Sequence, residues 1–146
     1  GWDNGLYVAA NVTLTDGESS FRFEDDNSFT TPFRKLADKA ANISVGYDKG
    51  PWDVRLAANY RSEYLDWLAD ENGSIDDLSE NNMRWVDAYV QVDLTAKYKV
   101  NEALAIKFEA VNLGNRAEYY YWGDDSQLSQ YDVFGKNYSL GMTYSF

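Results

Sequence analysis

Side-chain oxygens cluster in the segment Asp70-Glu71-Asn72-Gly73-Ser74-Ile75-Asp76 with the spacing found in the middle of a calcium-chelating loop. If Gly73 makes the sharp turn of such a loop, Asp70, Asn72 and Asp76 all fall on ligand positions. Both ends break the pattern. Leu68 stands where the first carboxylate belongs, and Ser79 where a bidentate Glu must close the cage. The segment therefore reads as an acidic turn built on Asn72-Gly73, with Asp70, Asn72 and Asp76 as its candidate ligands, and no metal site or cofactor is expected.

Adjacent acids at Asp25-Asp26, Asp76-Asp77 and Asp124-Asp125 have the chemistry for proton transfer, but acids side by side in a loop are normally solvated. The chain has no His and no Cys, so neither a Ser-His-Asp nor a Cys-His pair can form, and a zinc site would need carboxylates alone. An enzyme is not expected. A net charge of −11, with no basic stripe interleaved with aromatics, argues against a nucleic-acid partner. Aromatic stacking remains as binding chemistry. Trp67, Tyr119, Tyr120, Tyr121 and Trp122, with Trp85 beside them, could stack on sugar rings or on an aromatic metal chelator, and they suit interface anchoring equally well.

Strands must position these groups. Six segments alternate with period two, the mark of a strand with two chemically different faces. From Leu6 to Leu14 and from Trp52 to Tyr60 the even positions are apolar; from Ala41 to Tyr47 the odd ones are. Val86 to Val100 holds one register throughout and reads as a single long strand. Leu104, Ile106, Phe108 and Ala110 continue the pattern, after which Val111 and Leu113 change face, which predicts a bulge. The last run places Tyr138, Leu140, Met142, Tyr144 and Phe146 on one face. With 12 Tyr, 7 Phe, 5 Trp and 2 Pro, the fold class is all-β, an antiparallel up-and-down set of about six strands. No apolar run is long enough for a transmembrane helix, but low average hydropathy does not weigh against a membrane barrel, whose strands show lipid only alternate residues.

The connections alternate between short and long. Asp48 to Pro51 and Asn101 to Ala103 are tight links, whereas Asp16 to Asp38, Tyr64 to Arg84 and Arg116 to Gly135 are long. Membrane barrels of bacteria show this asymmetry, with short periplasmic turns and long external loops. The three long connections hold sixteen Asp and Glu against five Lys and Arg, so the whole net charge resides in them. That charge either keeps the loops wet or forms an electronegative vestibule for cations.

Several stretches resemble one family. Val111-Asn112-Leu113-Gly114-Asn115-Arg116, then Glu118-Tyr119-Tyr120-Tyr121, then Phe134-Gly135-Lys136-Asn137 running into the terminal strand, resemble the end of TonB-dependent outer-membrane receptors. Val45 to Leu56, with Asn59-Tyr60-Arg61-Ser62, is similar to the hairpin that precedes it. The resemblance implies a 22-stranded barrel closed around an amino-terminal plug and driven by TonB to import a scarce nutrient, such as a siderophore-metal chelate or a carbohydrate. It implies the outer membrane of a Gram-negative bacterium, with lipid and lipopolysaccharide around the wall. It also implies that Tyr138, Leu140, Met142, Tyr144 and Phe146 form the signal read by the barrel-assembly machinery.

Six strands fall short of the ~8 with which single-chain bacterial barrels begin, and an open sheet leaves two unpaired edges in lipid. Residues 1–146 are therefore expected to be the carboxyl-terminal segment of a larger barrel, with plug and TonB-contacting segment outside this chain. The opening at Gly1 fits an excised or processed piece. The alternative is a structural or adhesive antiparallel β-domain, soluble or oligomeric, whose apolar face packs on a partner sheet.

Overall fold

The structure, a computed structural model, describes residues 4–22, 28–68 and 82–146. Its strands are β1 (Leu6–Leu14), β2 (Glu18–Arg22), β3 (Ser28–Pro32), β4 (Lys39–Lys49), β5 (Trp52–Arg61) and β6 (Tyr64–Trp67). They continue with β7 (Arg84–Val86), β8 (Tyr89–Lys99), β9 (Leu104–Val111), β10 (Glu118–Trp122), β11 (Leu128–Asp132) and β12 (Asn137–Tyr144). The six segments read from the alternation form one antiparallel meander in the order β1-β4-β5-β8-β9-β12. Among the described residues, β1 and β12 are its open edges.

Register sorts this wall into two faces. Val8, Val45, Leu56 and Leu94 lie opposite one another in successive strands, and Leu94 lies opposite Ala110, which faces Tyr138. The other face carries rows such as Asn11, Asn42, Asn59 and Gln91, with the Asn42 amide donating to Asn11 at 2.9 Å. Apolar side chains stand exposed on the first face, Val8 at 69%, Val12 at 70% and Leu140 at 76%, where a soluble sheet would bury them. Tyr47, Trp52, Tyr98 and Tyr144 gather near its short-turn end, with the Trp52 and Tyr98 ring centroids 4.5 Å apart. An apolar band edged by aromatics is what the two sides of a lipid interface select.

The tight links follow from their residues. Lys49 pairs with Trp52, leaving Gly50-Pro51 as a two-residue turn. Gly50 sits at φ +62°, and Pro51 cannot adopt positive φ, so the turn is type II′, whose twist matches the strands it joins. In the second link the Asn101 carboxamide oxygen accepts the N–H groups of Ala103 and Leu104, both at 2.9 Å.

The long strand predicted over 86–100 is divided. β8 starts at Tyr89, and Val86 belongs to β7. The register itself survives, because Arg61↔Tyr89 and Tyr64↔Val86 continue one alignment. Hydrogen bonding is lost between them because the Asp87 carboxylate takes the Ala88 N–H at 2.6 Å, while the Asp87 N–H turns to the Tyr119 carbonyl at 2.9 Å.

The predicted bulge is present. From Leu94↔Ala110, unbroken pairing would set Asn112 opposite Val92, yet the Leu113 N–H reaches the Val92 carbonyl at 2.8 Å. One extra residue is absorbed at Asn112, which adopts φ +58°, a conformation Asn tolerates better than most residues.

The long connections are built of strands. β6, β7, β10 and β11 form a four-stranded sheet in the order β11-β10-β7-β6, and β2 pairs with β3 as a hairpin. The order repeats that of β5, β8, β9 and β12, so the wall's neighbours remain neighbours beyond it. Here the chain has a true core. Leu65, Leu68 and Met83 are buried, with Phe21 and Phe29 of the hairpin and Trp85 packed against them. A wall whose sides face lipid and lumen needs no such core; a projecting loop must bury apolar surface to stay ordered.

Candidate functional site

The sheet formed by the long connections presents two faces. On one, Tyr121 lies opposite Trp85, which lies opposite Leu65, and the Asp87 N–H is bonded to the Tyr119 carbonyl. On the other, Tyr120 lies opposite Val86 and Val86 opposite Tyr64, with the Arg84 guanidinium 5.4 Å from the Tyr120 ring centroid. The run Glu118 to Trp122 thus divides by strand alternation: Tyr119 and Tyr121 one way, Tyr120 and Trp122 the other.

Two clefts open beside the Tyr119 and Tyr121 face. One, of about 400 Å³, is lined by Phe29, Thr30, Thr31 and Pro32 from the hairpin, and by Glu63, Met83, Trp85, Tyr121 and Gly123. The second, of about 550 Å³, is lined by Glu63, Asp87, Tyr119, Tyr121, Gly123, Asp124 and Asp125. Tyr121 is buried and donates its hydroxyl to the Glu63 carboxylate at 2.8 Å. Burial, and then that bond, hold its pKa well above the ordinary tyrosine range, so it remains a neutral donor. Asp124 is lowered by the hydroxyl and N–H it receives from Ser126.

The Tyr120 face is laced by cations. Arg61 stacks on Tyr64, 4.5 Å from its ring centroid, and pairs with Glu118 at 3.4 Å. Arg84 donates its Nε to Asp66 at 2.8 Å and pairs with it through Nη2 as well. Trp67 carries the Arg34 guanidinium 4.5 Å above its ring. Trp67, itself exposed, and Tyr120 each carry an arginine, whereas Tyr119 and Tyr121 line the clefts. Trp122 is tied through its backbone N–H to Gln127. Asp70, Asn72 and Asp76 lie outside the described residues.

Tyr120 offers a titration test. Burial first, and then its hydroxyl's bond to Glu118, push its pKa up to about 12 from 10.0. Its neutral form is favoured in the fold, so the linked stability is complete below pH 10.0 and is lost as pH rises through about 12. A phenolate difference titration of the wild type against Tyr120→Phe should place its midpoint at about 12; a midpoint at 10.0 would contradict the burial and the Glu118 bond that together raise it.

Glu63, Asp87 and the arginines were not singled out by spacing or type. A signal existed: with Arg61 facing Tyr89, Glu63 and Asp87 fall opposite each other just past the wall.

The junction beneath the clefts is held by Asn112, 4% exposed. Its amide donates to the carbonyls of Arg116 at 3.1 Å and Gly135 at 2.8 Å, and its side-chain oxygen accepts the Arg116 N–H at 2.8 Å. Its own N–H goes to Asp93 at 2.9 Å. Arg116 then reaches Asp87 and the Ala88 carbonyl, each at 2.9 Å.

A twisted antiparallel wall with an exposed apolar band, a polar reverse face, tight turns at one end and folded loops at the other defines a wall of the bacterial outer-membrane barrel type. The chain belongs to the TonB dependent receptor-like, beta-barrel family, whose model matches residues 1–113. Comparison with curated proteins and with solved structures gives no match. The family is one of receptor barrels and not of enzymes, and its setting is the outer membrane. The matched region includes five of the six wall strands and ends within the Asn112 junction.

Proposed function

We propose that this chain supplies part of the wall and external loops of an outer-membrane receptor that imports a scarce nutrient into the periplasm, driven by TonB. The observation that supports it best is the exposed apolar band across all six wall strands, in a chain of this barrel family. Lipid and lipopolysaccharide cover that band. The unpaired edges at β1 and β12 join the remainder of the barrel, because open strand edges are not tolerated in hydrocarbon. The polar face looks onto the lumen and its plug, through which TonB acts. The loop end, with its clefts, lies outside the cell and meets the nutrient first. No catalytic role belongs to this reading.

Two results test it. Expressed alone, residues 1–146 should aggregate or require detergent, since band and edges lack partners. A monodisperse monomer in plain buffer would instead favour a soluble structural or adhesive β-domain. The terminal strand has a second role in this reading. Tyr138, Leu140, Met142 and Tyr144 all join the apolar face, and Phe146 is fully exposed beyond them. These residues are presented to the assembly machinery, so deleting Phe146 should lower the yield of folded receptor in the outer membrane; an unchanged yield removes that role.

A further inference from the structure

The two clefts beside Tyr121 are one site with two chemistries. They share Glu63, Tyr121 and Gly123, so a ligand in one half touches the border of the other. The smaller half offers Phe29, Met83 and Trp85; the larger offers the carboxylates of Glu63, Asp87, Asp124 and Asp125. Both volumes, about 400 and about 550 Å³, fall within the ~300–1,000 Å³ of small-molecule sites.

We propose that this double cleft binds an amphipathic cation, its ring or alkyl part against Trp85, Phe29 and Met83, and its ammonium or guanidinium among the carboxylates. The proposal rests on the reading that the loop end receives the imported nutrient. Three observations lead to it. The first is the charge balance: among the described residues, the cation bonded to these acids is Arg116, which pairs with Asp87 at 2.9 Å. Glu63 accepts from the neutral Tyr121 hydroxyl and Asp124 from the neutral Ser126, bonds that orient a carboxylate without cancelling its charge. The second is the aromatic wall. Trp85 and Tyr121 lie opposite each other in adjacent strands, and aromatic faces attract cations as well as apolar groups. The third is the long-range field. By sequence, the three long connections that supply this site hold the chain's whole net charge of −11, a field that favours an approaching cation and disfavours a ligand bearing exposed carboxylates.

The test uses the whole receptor in detergent and three probes of one shape: N-acetyl-lysyl-tryptophan amide, its glutaminyl analogue and its glutamyl analogue, each titrated by calorimetry with a detergent blank. The lysyl probe should bind about tenfold more tightly than the glutaminyl one, the glutamyl probe should give no heat, and rising salt should narrow the difference. The exposed pair Asp124→Asn and Asp125→Asn, changed together, should remove most of the lysyl preference. Trp85→Leu should weaken the lysyl and glutaminyl probes alike. Equal affinity for all three, no binding by any, or a lysyl preference untouched by the Asp124/Asp125 change would overturn the proposal. If it fails in a receptor of full barrel mass carrying a plug, the import reading stands. If it succeeds in a protein of only 146 residues, the cleft stands and the import reading falls.

Discussion

Asn112→Ala is expected to be the most damaging small substitution in the chain, costing about 3 kcal/mol or more. It leaves the Arg116 N–H and the carbonyls of Arg116 and Gly135 without their side-chain partner at a site almost closed to water. It also forces a residue with no αL preference to hold φ +58°, adding about 1 kcal/mol. Asn112→Gly separates the two effects, since it removes the strain and keeps the loss of bonds, and it should recover about 1 kcal/mol of the damage. Urea unfolding of the detergent-folded receptor reads these differences. If alanine costs under about 1 kcal/mol, Asn112 does not hold the junction and the loop sheet is anchored elsewhere.

The second large effect concerns which face meets lipid. Leu56, 47% exposed, lies opposite Leu94 in the middle of the wall, and Leu56→Arg should cost about 2–4 kcal/mol in a bilayer. Thr95→Arg, on the reverse face and opposite Arg55, should cost under about 1 kcal/mol because that face is polar and wet. The same change at Val90 and Ile106, nearer the two ends of the wall, should fall between these values according to depth. Matching costs at Leu56 and Thr95 would mean that the apolar band does not face hydrocarbon.

The wall was legible because alternation is local: each strand announces its own two faces, and a change of phase at Val111 and Leu113 announces the bulge. The folded loops were not. Glu118 to Trp122 carries four aromatics in succession, so period two gives no signal there. β7 has three residues, too few for any periodicity, and its partner β10 comes from a different connection. The break at Asp87 was hidden for a related reason. Val86-Asp87-Ala88-Tyr89 alternates without fault, and only the distant Tyr119 carbonyl and Arg116 guanidinium draw the backbone and carboxylate of Asp87 away. Among the candidate ligand residues, type alone could not separate Tyr119 and Tyr121, which line clefts, from Tyr120 and Trp67, which hold arginines. That division follows from strand pairing and from Arg84 and Arg34, whose distance in sequence from their ring partners carries no pattern.

The direct test of the account is the intact mass of the native protein purified from its source outer membrane, with peptide mapping upstream of Gly1. The account predicts a mass several times the 16.7 kDa of these residues, with upstream peptides from further strands and a plug. A native mass of 16.7 kDa would contradict it and turn attention to a self-contained β-protein.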